Sequence, residues 1–318
     1  MRSRKIVAAI FLFVSAFTAC KKDVQPTQEL AQPKIENVEI GLNNNEIGII
    51  GRDFHFNADI IAGDKIDVVQ IKIIQRSAET YASSWNHEIT WEQYKGAKNT
   101  NVHKHFSIPD NAVEGKYDFV ITVKDENGTT LEEKRRISIY SAANLPSDPK
   151  FNMIGVDIVD GDYNFIRALI SNDFIGGSNY LAEEGIKKGE FFAPSIMIDG
   201  VKGDGKMYCL LISKKHNHKP ESIKAIDFSK VIVANAWEHK GLTAATTISN
   251  LYNYSTTPMS FVFPSLKVGA ISDNNIPSNP ISGVKTWETG SYYFGVIYQN
   301  STYNMSLFKY IDIKININ

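Results

Sequence analysis

Apolar residues recurring at every second position, in short segments, constrain this chain more than any other feature. Phe54, Phe56, Ala58 and Ile60 alternate with Asp53, His55, Asn57 and Asp59, the period of a strand with one buried face. Val69-Gln70-Ile71-Lys72-Ile73 repeats the pattern, as do Tyr117 to Val123 and Arg136 to Tyr140, with Asp125-Glu126-Asn127-Gly128 as the turn between the last two. Strands spaced about every ten residues and punctuated by turn residues predict an antiparallel sandwich. Ser141 to Pro149, small residues with two prolines, predicts a linker.

Residues 150–318 carry the same pattern less regularly. Gly115-Lys116-Tyr117 and Gly290-Ser291-Tyr292 each precede an alternating strand, a turn and a closing strand. A tyrosine at that place suits the tyrosine corner of an immunoglobulin-like sandwich. Asn172 to Lys188 and Ser265 to Lys285 are rich in Gly, Asn, Ser and Pro and predict long surface loops. Asp160-Gly161-Asp162-Tyr163-Asn164 starts like a calcium loop, but Phe165 and Ser171 stand where that loop needs glycine and glutamate, so a hairpin turn is expected. Cys209, within Met207 to Ile212, reads as a small buried hydrophobe.

The N-terminus sets the address. Arg2, Arg4 and Lys5 precede an apolar run, Ile6 to Phe17, too short to span a bilayer, and Phe17-Thr18-Ala19-Cys20 supplies a small-residue cleavage site ending in cysteine. Residues 1–19 are therefore expected to be a lipoprotein signal peptide, Cys20 the lipid-bearing residue and 20–32 a polar tether. Lys21-Lys22-Asp23 resembles the surface-export signals of Bacteroidetes-type lipoproteins, with fewer acidic residues than those usually carry. The expected location is the outer membrane, at the cell surface, with the periplasmic face as the alternative. Acyl chains on Cys20 would hold the membrane. A net charge of -1 with 22% charged residues gives no basic field for nucleic acid.

Residues 33–140 resemble the domain of unknown function 4625 family. The resemblance rests on Pro33-Lys34-Ile35-Glu36-Asn37-Val38-Glu39-Ile40-Gly41, the Asp53-Phe54-His55 strand, the segment from Trp85 to His105 and the Gly115-Lys116-Tyr117 hairpin. It implies an immunoglobulin-like fold and a cell-envelope location, and no activity. The expected fold class is all-β: two antiparallel β-sandwich domains, the first (33–140) Ig-like, then a linker (141–149) and a second sandwich (150–318), either Ig-like or a jelly roll.

Two constellations carry the functional expectations. His55, His87, His103 and His105 lie in the first domain and His216, His218 and His239 in the second. Residues two apart on a strand share a face about 7 Å apart, so His103 and His105 can reach one ion. His55 lies on the polar face of its own strand, and Asp53, Asp59 and Glu88 are candidate oxygens for a zinc or copper site. Lys104 falls on the apolar set of Val102, Phe106 and Ile108, against the register. The lysines around His216 and His218 oppose a cation there. Aromatic residues are the second constellation: Trp85, Trp91, Trp237, Tyr252 and Tyr254 are candidates for stacking against a glycan, although tryptophans in sandwiches commonly serve the core. No Gly-x-Ser-x-Gly elbow, His-Glu-x-x-His helix or phosphate loop occurs. The sequence thus predicts a non-enzymatic envelope lipoprotein, without a cofactor, that binds a glycan or a partner membrane protein. The alternative is a zinc- or copper-binding lipoprotein using the first-domain histidines.

Overall fold

The alternating segments are strands in the computed structural model, which describes residues 29–173, 185–254 and 256–318. The signal peptide, Cys20 and most of the tether lie outside the described residues, as does most of the loop expected at Asn172 to Lys188.

The first domain is a two-layer sandwich. One layer orders β1 (Lys34–Ile40), β3 (Asp53–Ile61) and β6 (Asn99–Ser107) side by side. The other runs β2 (Ile47–Ile49), β8 (Thr130–Tyr140), β7 (Gly115–Asp125), β4 (Ile66–Gln75), β5 (Asn86–Trp91). All pairs are antiparallel except β2 with β8. The period of two delivers Phe54, Phe56, Ala58 and Ile60 to a core shared with Ile71, Phe119, Ile121 and Ile137. Each fully buried side chain of this kind contributes about 1.5–3 kcal/mol. Tyr117 forms the expected corner, its buried hydroxyl donating to the Val113 carbonyl at 2.6 Å. Lys104 keeps the register by running its stem inward and placing its ammonium 5.3 Å from the centre of the Tyr94 ring.

The second domain contains β9 (Lys150–Val159), β10 (Phe165–Asp173), β11 (Ile186–Lys187), β12 (Phe191–Ser213), β13 (Ile232–Ser249), β14 (Tyr252–Asn253), β15 (Ser260–Phe261), β16 (Leu266–Lys267), β17 (Gly290–Asn300) and β18 (Met305–Asn316). Its organising element is the 23-residue β12. The first part of β12 pairs with β9, and the second, from Gly205 onward, pairs with β17. β13 follows β12 through both parts, with register shifts from Ile198 to Gly205. One long strand therefore serves both layers of the sandwich and turns the corner at a glycine-rich bend. Gly200 and Gly203 have φ of +69° and +78°, and a Cβ on Gly205 would lie 2.5 Å from His239 Nε2 and 2.6 Å from the Tyr298 hydroxyl. Cys209 is fully buried in the core between the layers. Tyr292 repeats the corner, donating to the Glu288 carbonyl at 3.2 Å. Asp160 accepts from the backbone amides of Asp162 and Asn164, both at 2.9 Å, and so makes the turn between β9 and β10. The loop around Ser265 to Lys285 is tied down by a buried Asp273–Lys285 ion pair at 2.9 Å.

The outer face of β12, β13, β17 and β18 is covered by the segment from Lys214 to Val231. Ile226 and Val231 from this segment pack on Tyr208, Leu210, Ile212, Val233 and Ile297 as a small separate core. Removing the corner hydroxyl with Tyr117→Phe leaves the Val113 carbonyl without its donor. It is expected to cost the first domain about 1–3 kcal/mol in urea unfolding. An unchanged midpoint would mean that the corner contributes nothing.

Candidate metal site

Strand register decides which histidines meet. In the β3–β6 ladder His55 stands directly opposite His105, while His103 stands opposite Asn57 and diagonal to His55. Directly opposed and diagonal neighbours on one sheet face are within reach of ring side chains. The three imidazole centroids accordingly form a near-regular triangle, 5.0 Å, 5.1 Å and 5.4 Å on its sides. The same ladder and its neighbour β1 add two carboxylates to this face, Asp53 on β3 and Glu39 on β1.

The fourth group comes from the second domain. Glu221, in the segment that covers β12 and β17, places Oε2 at 3.4 Å from His55 Nδ1, 3.4 Å from His103 Nε2 and 3.0 Å from His105 Nε2. His55 Nδ1 and His105 Nε2 are 3.4 Å apart, and one ligand atom from each of the four residues lies within 4.8 Å of the others. Four ligands about 2.0–2.1 Å from a tetrahedral zinc ion have edges of about 3.3–3.4 Å. The Glu221 contacts and the His55–His105 pair match that spacing, while the four residues as a set spread to 4.8 Å. Around it, His105 Nδ1 meets Asp53 Oδ2 at 2.5 Å, an arrangement that fixes the ring and leaves Nε2 free to ligate. His55 Nε2 faces Glu39 Oε2 at 3.6 Å. Arg52, next in sequence, holds Asp148 of the linker in a two-pronged pair at 2.5 Å and 2.9 Å.

Without a metal ion a proton on His55 meets the Glu221 charge instead. Burial opposes a charge on His55, but Glu221 and Glu39 on either side overcome it and raise the ring to about 9. Burial works against the Glu221 carboxylate too, yet His55, His105 and His103 bring it down to about 2.

Residues 18–140 match the model of a family described as Domain of unknown function (DUF4625). The first domain therefore carries the resemblance read from Pro33 to Gly41 and from the Asp53-Phe54-His55 strand. No curated protein matches the chain. Among solved structures it is similar to dimeric latent PorU from Porphyromonas gingivalis, at 9% identity and a TM-score of 0.31, over 93% of this chain and 21% of that one. It is also similar to a protein of unknown function from Porphyromonas gingivalis W83, at 9% identity and a TM-score of 0.20, over 90% of this chain and 99% of that one. The chain thus spans about a fifth of the length of PorU. Likenesses at this level identify neither a ligand nor an activity.

The remaining candidates go elsewhere. His87 does not join the cluster: it stands on β5 in the opposite layer, opposite Ile73. Its ring stacks 6.1 Å from Trp85 and lies 6.3 Å from Phe106, and burial lowers its pKa. The alternation that turns His103 and His105 outward turns His87 inward. Trp85 and Trp91 are core residues at 8% and 9% exposure, which removes them as stacking platforms. Trp237 is also buried, its Nε1 donating to the Tyr252 carbonyl at 2.9 Å, and the Tyr254 hydroxyl accepts from the Ser249 amide at 3.0 Å. Of the five aromatic candidates, Tyr252 alone has an exposed side chain. Asp59 is taken by Asn37 and Asn101, and Glu88 by Gln70 and Lys72. His218 accepts from the Asp227 amide and His239 pairs with the Tyr298 hydroxyl, so the second histidine group does not converge. Glu221 escaped sequence reasoning because its partners lie more than a hundred residues away, and only its place after Pro220 in a His-x-His loop marks it.

The raised pKa of His55 has a definite effect on stability. In metal-free protein the charged ring stabilises the fold in full below its ordinary value of about 6.5, and this contribution is lost as pH rises through about 9. Unfolding free energy in EDTA should therefore fall between pH 6.5 and 9, and His55→Gln should flatten that slope. An unaltered slope in the variant would remove His55 as its source.

Proposed function

We propose that this protein is a metal-binding lipoprotein of the cell envelope, taking zinc through His55, His103, His105 and Glu221. The observation that carries this reading is the single Glu221 oxygen lying 3.0–3.4 Å from three imidazole nitrogens, the spacing of ligands around a small ion. A set of three nitrogens and one carboxylate suits a borderline cation such as zinc, and copper is the competitor that imidazole also favours. Four protein ligands close the coordination shell, as in sites that hold a metal rather than catalyse with it. The lipid-bearing Cys20 and the tether would place this site at the outer membrane, on the cell surface.

A second reading, ligand binding by the second domain, is favoured by a pocket of about 600 Å³ lined by Trp237, Asn235, Asn250, Asn253, Phe263 and Ile276. Its mix of planar amides and apolar walls is suited to a glycan. A Phe263→Ala variant that leaves binding to a panel of neutral oligosaccharides unchanged would dismiss it.

Calorimetric titration of the soluble chain, Lys21 to Asn318, tests the metal reading. Zinc should bind with a stoichiometry of one, and the His103→Ala/His105→Ala double variant should lose it. Asp53→Asn, which removes the orienting carboxylate, should weaken binding about 10- to 100-fold. His87→Ala should bind as the wild type does. Absence of zinc and copper binding, or binding that survives the double variant, sinks the proposal.

A further inference from the structure

The metal ligands are divided between the domains: three stand on the first domain's outer sheet face and the fourth is Glu221 of the second. Among the described residues, other polar contacts across this junction lie at its periphery. Asn43 donates to Asn304 at 2.9 Å, and Arg52 pairs with Asp148, a linker residue joined to the second domain through its amide on the Gly200 carbonyl at 3.1 Å. Beside the cluster the two domains enclose a cleft of about 330 Å³, with His55, His105 and Ile49 on one wall and Met305, Leu307 and Phe308 on the other. Packing across the junction is thus incomplete next to the site, and the place where several charged or titratable groups from both domains meet is at the metal ligands.

Resting on the metal-binding reading, we infer that metal occupancy clasps the two domains into one orientation, with Glu221 as the residue that couples binding to docking. The segment bearing Glu221 is rigid enough to transmit this. The Tyr310 hydroxyl donates to the Pro220 carbonyl, Asp227 donates its amide to His218 at 3.1 Å, and Ile226 and Val231 are packed against β12 and β17. Glu221 therefore cannot follow the first domain without the second domain following too. Metal bound by all four ligands fixes the docked arrangement and the cleft with it. Metal bound by the three histidines alone leaves the first domain free to swing on the linker.

The test uses the soluble chain carrying nitroxide labels at Lys134→Cys and Lys240→Cys, two exposed positions in different domains, while Cys209 is buried and does not react. Pulsed dipolar spectroscopy should give a distance distribution that is broader in EDTA, where only the imidazole–Glu221 contacts link the site across the junction, and that narrows to one peak with one equivalent of zinc. Glu221→Ala should keep weakened zinc binding through the histidines while losing the narrowing. Arg52→Ala, which removes the other ion pair at the junction, should keep it. Zinc binding without narrowing in the wild type, a peak already narrow in EDTA, or narrowing that persists in Glu221→Ala would each overturn the clasp while leaving the metal reading standing. Failure of the wild type to bind zinc at all would overturn both. The comparison of wild type with and without zinc needs no variant to fold.

Discussion

The register between β3 and β6 is the constraint on which the site depends. A strand shifted by one residue turns every side chain to the other face, so one slip would bury His103 and His105 and expose Val102 and Phe106. The register is held by the apolar set it serves: Phe54, Phe56, Ala58 and Ile60 on β3 and Val102 on β6 are all buried. The core thus positions the imidazoles, and the histidines contribute chemistry without having to fix their own geometry. This is the cheapest way to preorganise ligands, because the ordering cost is met by burial that the fold needs anyway.

What gathers on the outward face would be unfavourable without a cation. Glu39, Asp53 and Glu221 surround three imidazoles, and neutral rings would leave three negative charges close together with His55 and part of Glu221 withdrawn from water. Buried charges are tolerated only when paired. Protonation of His55 is one way to pair them, as its raised pKa records. A divalent ion is another, and it answers the geometry as well as the charge, because one ligand atom from each of His55, His103, His105 and Glu221 lies within 4.8 Å of the others.

The sequence made the layers, both tyrosine corners and the outward direction of His55, His103 and His105 legible, since each follows from a period of two or from a local turn. His87 was legible by the same rule. It shares its phase with Trp85, Ile89 and Trp91, so the alternation already placed it on the apolar face, and counting it with the other histidines overrode that signal. The tryptophans were ambiguous because a large aromatic serves equally as core or platform; Trp91, stacked 5.7 Å from Phe56, is core. Glu221 was invisible because metal sites closed between domains draw a ligand from wherever the chain passes, without a spacing rule. The bend of β12, which makes one strand serve two layers, left a trace only in Gly200, Gly203 and Gly205.

That bend also explains why the second domain can present a carboxylate at all. By carrying β12 around the corner, the fold creates an outer face on the β12–β17–β18 layer that must be covered, and the connection from β12 to β13 is the chain available to cover it. Lys214 to Val231 pays for its length by burying Ile226 and Val231, and its crest, at Pro220 and Glu221, then lies beside β18. Since Phe308 of β18 approaches the His105 ring at 6.3 Å, the crest meets the first domain where the histidines are. A segment needed for the second domain's own packing thereby becomes the arm that reaches the first, and the two sandwiches acquire a shared site from a requirement that began inside one of them.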